Sequence, residues 1–318
     1  MKATAKVLAA TVLLALTAAS TGFGQVGVSG INGINVPPES EVLLSVPFNK
    51  TMEASLAVNG TPSGTTLPVA TNALDGEDFS GGMYYVRFTS GNANGLWCDV
   101  SSNTADDITI DDATVAGMVQ DTDTFRVYKH HTIGTLFPAL HRGWSYVADT
   151  QILLFPYGDT GQFKTADRIL TYKTFPVPGW SGTGAATVVP PESLFILRNN
   201  STTQTLHYAH GGTVPDHAVS FLLPAHADKD FLIGTGYPVV VTVSQTGFGG
   251  VADRQVLLFN NQASGQFKTA DAILTYKTFP VPGWSGTGGS TPIGKSEGFI
   301  FRQSSGDAGG VVTVTKPY

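Results

Sequence analysis

Apolar residues in this chain come in short β-branched and aromatic runs bounded by Gly, Pro, Asn and Asp. That pattern predicts strands joined by turns. The first half gives strands at Glu41–Val46, Tyr84–Thr89, Leu96–Val100, Ile108–Asp111, Thr124–Tyr128, Gln151–Phe155, Ile169–Phe175 and Leu194–Arg198. The second half gives Thr205–Ala209, Phe231–Ile233, Val239–Ser244, Gln255–Phe259, Ile273–Phe279, Gly298–Arg302 and Val311–Thr315. Beyond the first residues no stretch keeps a helical apolar period. One short helical turn is expected near Ala113–Met118.

The first residues differ. Lys2 and Lys6 precede an apolar run from Val7 to Ala19. A membrane span needs about 20 apolar residues, so this run reads as a secretory signal peptide. Cleavage fits after Ala19 or after Gly24, and Gly24 is preferred, making residues 1–24 the signal. No later stretch is apolar and long enough to span a bilayer as a helix. The expected location is secreted, periplasmic or cell-surface.

An internal repeat dominates the rest of the chain. Gly161–Gly184 and Gly265–Gly288 differ at one position of 24, Arg168 against Ala272, at an offset of 104 residues. Gln151–Phe155 matches Gln255–Phe259, and Ser193–Arg198 matches Glu297–Arg302 more loosely. A fainter echo pairs Glu41–Phe48 with Asp230–Tyr237. The chain thus reads as all-β: two related antiparallel sandwich or barrel lobes, 25–203 and 204–318. A small barrel-like β subdomain, about 59–131, is inserted in the first. In each copy Pro-Val-Pro-Gly-Trp follows a strand. The prolines cannot donate to a ladder, so pairing stops and Gly-Trp starts a return path.

Composition narrows the function classes. Charged residues make up 13% of the 318 positions, about half the usual share, which excludes a coiled coil. The net charge is −6, and becomes −8 once Lys2 and Lys6 leave with the signal. A nucleic-acid partner would need a basic face. The single cysteine, Cys98, excludes a disulfide framework and a Cys-based zinc site.

The candidate chemistry is sparse. His207 and His210 lie three apart on a predicted strand and so face opposite ways; His130 and His131 are adjacent, with the same problem. His141, His217 and His226 complete the set. Asp106, Asp107, Asp111, Asp112, Asp121 and Asp123 cluster without the spacing of a calcium loop and read as turn residues. Ser181 and Ser285 follow Gly-Trp but lack the elbow of a nucleophilic serine. Cys98 reads as a small buried residue. Gly247–Gly250 matches no phosphate-binding fingerprint. No catalytic residue, metal site or cofactor is assigned. The repeated rings stand out: Phe163, Tyr172, Phe175 and Trp180 recur as Phe267, Tyr276, Phe279 and Trp284. They pack the corner of each lobe or, if exposed, stack on sugar rings. In the second case Tyr172, Trp180, Tyr276 and Trp284, with donors Lys164 and Lys268, form a duplicated ligand site.

The layout resembles an uncharacterised family of exported bacterial proteins known from verrucomicrobial genomes. Four features carry it: Val42–Phe48 after the signal; Ile133–Pro138 after the insertion; the recurring Lys-Thr-Ala and Gly-Trp around strands; and Phe-Ile-x-Arg strands before a Lys316-Pro317-Tyr318 end. The resemblance implies an exported, two-unit, all-β protein and carries no activity. The expectation is a non-catalytic structural or adhesive protein with polysaccharide or its own copies as partner. The alternatives are a carbohydrate-binding protein and a secreted polysaccharide hydrolase, whose paired carboxylates would come from different strands.

Overall fold

Side chains alternate inward and outward along a strand, and at Ser29–Val36 and Met52–Ala57 the burial pattern follows that period. The computed structural model describes residues 28–138, 147–155, 162, 165–225 and 229–318; residues 1–24, expected from the sequence to be a signal peptide, lie outside them. Strands β1 (Ser29–Val36) and β2 (Ser40–Ser45) open the first unit. The inserted module follows as β3 (Met52–Ala57), β4 (Thr66–Pro68), β5 (Tyr84–Phe88), β6 (Trp97–Asn103), β7 (Asp107–Ile110), the helical turn α1 (Ala113–Ala116) and β8 (Thr124–Lys129). The first unit resumes with β9 (His131–Thr132), the turn α2 (Ile133–Leu136), β10 (Gln151–Leu154), β11 (Arg168–Lys173), β12 (Gly179–Trp180), β13 (Val188–Val189), β14 (Leu194–Asn199) and β15 (Leu206–Thr213). The second unit comprises β16 (Val219–Leu223), β17 (Asp230–Gly234), β18 (Val241–Thr242), β19 (Gln255–Leu258), β20 (Ala272–Lys277), β21 (Gly283–Trp284), β22 (Pro292–Ile293), β23 (Gly298–Arg302) and β24 (Gly310–Val314).

The fold is all-β, built from several antiparallel sheets with no closed barrel. Both units use one plan. The first has a sheet in the order β12-β11-β10-β14-β2, and the second has β21-β20-β19-β23-β17. Registers match as well: Tyr172 faces Trp180 and Tyr276 faces Trp284, while Gln151 and Gln255 face Arg198 and Arg302. A ribbon accompanies each sheet, β1-β15 in the first and β16-β24 in the second. One face of the first sheet (Leu44, Ile152, Tyr172, Phe195) packs with Val36 and Tyr208 of its ribbon and Phe137 after α2. The second core joins Val256, Trp284, Phe299 and Phe301 to Phe221 and Val312.

Two boundaries differ from expectation. Leu206–Thr213 pairs with β1 from Ser29↔Thr213 to Val36↔Leu206. It therefore completes the first unit and does not open the second at 204. β1 itself was not expected, because Ser-Gly-Ile-Asn-Gly-Ile-Asn-Val is rich in residues of low β propensity; its long-range partner makes it a strand. The insertion begins at β3, ahead of 59, and forms a six-stranded open sheet, β3-β8-β5-β6-β7-β4, in place of the expected barrel. The expected helical turn is α1, with Asp112 accepting from Thr114 N and Val115 N as its N-cap.

The two units meet at β2. All six of its residues are buried. One edge pairs with β14. On the other edge Glu41 N donates to Gly265 O at 3.1 Å and Ser45 N to Ser296 O at 2.9 Å. Between them Leu43 N donates to Asn261 Oδ1 at 2.8 Å, and Asn261 Nδ2 returns a bond to Leu43 O at 2.9 Å. The contact is reciprocal, because Gly234 N at the end of β17 donates to Glu192 O at 2.8 Å. Glu192 and Ser296, 104 residues apart, both adopt left-handed backbone, φ 56° and 57°. Each of these edge strands, β2 and β17, carries a charge paired within its own sheet: Glu41 to Arg198 at 2.7 Å and Asp230 to Arg302 at 2.7 Å. Outside these pairs, Leu43, Ile196, Leu232, Leu257 and Ile300 line a groove of about 510 Å³ between the sheets.

Asn261 therefore satisfies two buried backbone groups of the opposite unit with one side chain. Asn261→Ala is expected to lower stability by about 2–4 kcal/mol, since each buried polar group left unpaired costs roughly 1–3 kcal/mol. Urea unfolding measures it. The neighbouring Gln262→Ala, at an exposed position, stays within about 0.5 kcal/mol of the parent.

Candidate functional site

The repeated corner is a two-residue return strand, as the prolines dictate: Tyr172 pairs Trp180 and Lys173 pairs Gly179, and the second copy does the same. Pairing puts the large rings inside. Tyr172 is 0% exposed, Trp180 7% and Trp284 9%. Trp180 Nε1 donates to Phe137 O at 3.1 Å, and its ring meets Phe137 at 5.7 Å and Tyr172 at 5.4 Å. Tyr276 is half-buried with its ring 5.4 Å from Trp284. The rings of Tyr172, Trp180 and Trp284 close the corners from inside. Lys268 is half-buried, Nζ donating to Asn260 O at 2.9 Å and the backbone N to Glu41 Oε1 at 3.3 Å. Burial lowers its pKa, opposed by the Glu41 charge. Lys164 and Phe163 lie outside the described residues.

What the corner exposes is its tip. Phe175 is 85% exposed and Val177 76%; Phe279 is 84% and Val281 76%. Pro176 and Pro178 alternate with them, as do Pro280 and Pro282, all exposed. Both tips carry a cis Phe–Pro peptide bond. Ser181 Oγ accepts from Thr171 N at 3.1 Å and Ser285 Oγ from Thr275 N at 3.2 Å; both serines brace the hairpin. At each base a lysine meets an aspartate, Lys173 with Asp149 at 2.7 Å and Lys277 with Asp253 at 2.8 Å. The sequence pattern marked the corner but not which rings face out. The usable signal was Pro on both sides of Val177, which removes Phe175 and Val177 from any ladder.

A second constellation lies where the insertion meets both units. Arg87 is fully buried, with Nη2 2.6 Å from Glu192 Oε1 and Nη1 donating to Gly95 O at 2.9 Å. Burial opposes the guanidinium charge, and the Glu192 carboxylate together with Tyr85 and Tyr128 outweighs it, so the Arg87 pKa rises. Gly95 has φ 84°, and a Cβ there would lie 2.5 Å from Ser220 Oγ, so only glycine permits this approach. His217 Nε2 lies 3.0 Å from Asn49 Nδ2 and its Nδ1 2.8 Å from Ala218 O. Nδ1 is thus the protonated nitrogen. His131 Nε2 donates to Phe48 O at 3.1 Å. His210 stacks on Tyr208 at 5.1 Å, and neither ring nitrogen meets a protein partner. His130 pairs with Asp99 at 2.7 Å, and His207 sits on the outer face against Asn35 at 2.7 Å. His141 and His226 lie outside the described residues. Beside this junction a cleft of about 850 Å³ is lined by Ile31, Phe48, Tyr128, Val239 and Tyr318. Of its lining cations, Arg126, Lys295 and Lys316, the first and last are engaged by Asp216, at the carboxylate and the carbonyl respectively.

The remaining candidates have structural roles. Asp106 accepts from Asn72 N, Asp111 from Asp99 N, Asp121 from Gly60 N and Asp123 from Gln120 N. Cys98 is buried, and burial pushes its thiol pKa up. Among the described residues no group of three His, Cys, Asp or Glu is placed to hold a metal ion. No family model, curated protein or solved structure matches the chain.

Burial lowers three histidine pKa values, His131 and His210 to about 4 and His217 to about 3. The Lys50, His131 and Arg87 charges respectively add to that effect. The unfolded chain therefore binds more protons below pH 6.5. Stability from the neutral rings is complete above about pH 6.5 and is lost as pH falls through the folded values, about 1.4 kcal/mol per ring and pH unit. Thermal melts at pH 7.5, about 6 and about 5 should fall steeply, and His210→Phe, which keeps the stacked ring without a titrating group, should flatten the slope. A melting temperature independent of pH across this window would contradict the assignment.

Proposed function

We propose that this protein is an exported, non-catalytic structural or adhesive protein, and that the two exposed hairpin tips are its attachment points. The observation that carries this reading is the pairing of exposure with identity. Core packing accounts for identical Tyr, Trp and Leu in the two copies. It places no demand on Phe175, Val177, Phe279 and Val281, which project from the sheets. Large apolar side chains grouped on the surface mark interaction sites. Burying one Phe or Val is worth about 1.5–3 kcal/mol, so each tip offers about 3–6 kcal/mol before association costs are subtracted. The sugar-stacking alternative loses its main support, because Trp180 and Trp284 are packed inside. Phe267 is 80% exposed, but the Arg198 guanidinium lies over its ring at 4.5 Å.

Retention on a phenyl-substituted matrix and co-sedimentation with a bacterial cell-envelope fraction test the reading. The parent is expected to bind both. The combined variant Phe175→Ser, Val177→Ser, Phe279→Ser, Val281→Ser should elute early from the matrix and stay in the envelope supernatant. Its melting temperature should match the parent, because all four side chains are exposed. Envelope binding unchanged by these substitutions would remove the tips from the function.

A further inference from the structure

We infer that the two hairpin tips are lipid-surface anchors, each inserting its Phe-Pro-Val-Pro apex into the interfacial layer of a bilayer. The inference rests on the attachment reading above and names the surface that the tips recognise. Four observations lead to it.

The first is shape. Each apex is a narrow convex turn at the end of a two-stranded hairpin, with Phe and Val 76–85% exposed. A stable protein interface buries about 800 Å² on each partner, more than a four-residue apex supplies. A fluid lipid surface needs no complementary pocket.

The second is the backbone. An amide that enters an apolar phase must keep a hydrogen-bond partner. Pro176, Pro178, Pro280 and Pro282 have no N–H to satisfy. Each apex therefore carries few donors into the interface, and its carbonyls remain at the hydrated headgroup level.

The third is charge. From Thr174 to Pro191, and from Thr278 to Gly294, no residue is charged. The nearest cations, Lys173 and Lys277, sit at the hairpin bases, each 55% exposed and paired with an aspartate. Their stems can follow the apex while the ammonium groups stay in water. Insertion buries no ion.

The fourth is repetition at a distance from the junction. The β11-β12 and β20-β21 hairpins form the sheet edges opposite β2 and β17, the strands through which the two units meet. Each apex therefore belongs to the edge of its sheet farthest in strand order from that junction. A single weak anchor gives marginal membrane binding, and stable attachment takes two signals. This chain carries two of the same kind.

The test is sedimentation with vesicles of phosphatidylcholine alone and of phosphatidylcholine and phosphatidylglycerol in equal parts. The parent is expected to pellet with both, and raised salt should not release it, because the contact is apolar. Removing one tip with Phe175→Ser and Val177→Ser, or with Phe279→Ser and Val281→Ser, should weaken binding, and removing both should abolish it. Phe175→Trp should strengthen it, because tryptophan favours the interface; this variant also keeps the test open if the serine variants fold poorly. Failure of the parent to pellet overturns the inference. So does full binding by the variant lacking both tips, or release by salt. If the parent binds a cell-envelope fraction but not vesicles, and protease treatment of the envelope removes that binding, the partner is a protein. In that outcome the lipid inference falls and the attachment reading stands.

Discussion

The organisation of this molecule depends on how it satisfies the free edge of β2. A buried edge strand with its outer side open would leave its amides unpaired, and an exposed edge invites pairing with other chains. Here the amides of Glu41, Leu43 and Ser45 point away from β14 and are taken up by Gly265, Asn261 and Ser296 of the other unit. None of these acceptors belongs to a strand of an extended sheet. The edge is closed by loops, so the first sheet ends at β2 and does not propagate.

That closure makes the duplication useful structurally. The contact is nearly isologous: the end of β2 bonds to Ser296, two residues before β23, and the end of β17 bonds to Glu192, two residues before β14. A two-fold dimer uses the same logic between separate chains. Here one covalent chain holds both copies. The insertion then ties into the same region. Arg87 from β5 meets Glu192, whose carbonyl already receives Gly234. Buried ion pairs add little net stability, but breaking one leaves a stranded charge, so Arg87 and Glu192 keep the insertion and both units in one arrangement. The hairpins that carry the exposed tips form the opposite edges of the two sheets.

Much of the fold was legible in the sequence because it is local. The strands at Gln151–Phe155 and Gln255–Phe259, the turn at Ala113, and the proline-limited return at Gly179-Trp180 each follow from a few neighbouring residues. Even the faint echo between Glu41–Phe48 and Asp230–Tyr237 marked true equivalents, since β2 and β17 hold the same place in their sheets. What was not legible is non-local. Ser29–Val36 is a strand only because Leu206–Thr213 lies beside it, and no short-range pattern assigns that partner to the first unit. The rings show the same limit. Tyr172, Phe175 and Trp180 are similar in chemistry, yet pairing in the hairpin buries the first and last and leaves Phe175 outside. The histidines became interpretable only when the insertion, both units and Asn49 were seen to converge on one buried junction.

The central claim is that Phe175 and Phe279 contact lipid while the buried Trp180 and Trp284 do not. The direct measurement is fluorescence quenching by lipids brominated along the acyl chain, using Phe175→Trp and Phe279→Trp separately. Each introduced indole should shift to the blue on vesicle addition and be quenched most by bromines near the headgroup. The buried rings of Trp180 and Trp284 should remain unquenched in the parent. Introduced indoles that stay water-exposed and unquenched at saturating vesicle would contradict the account.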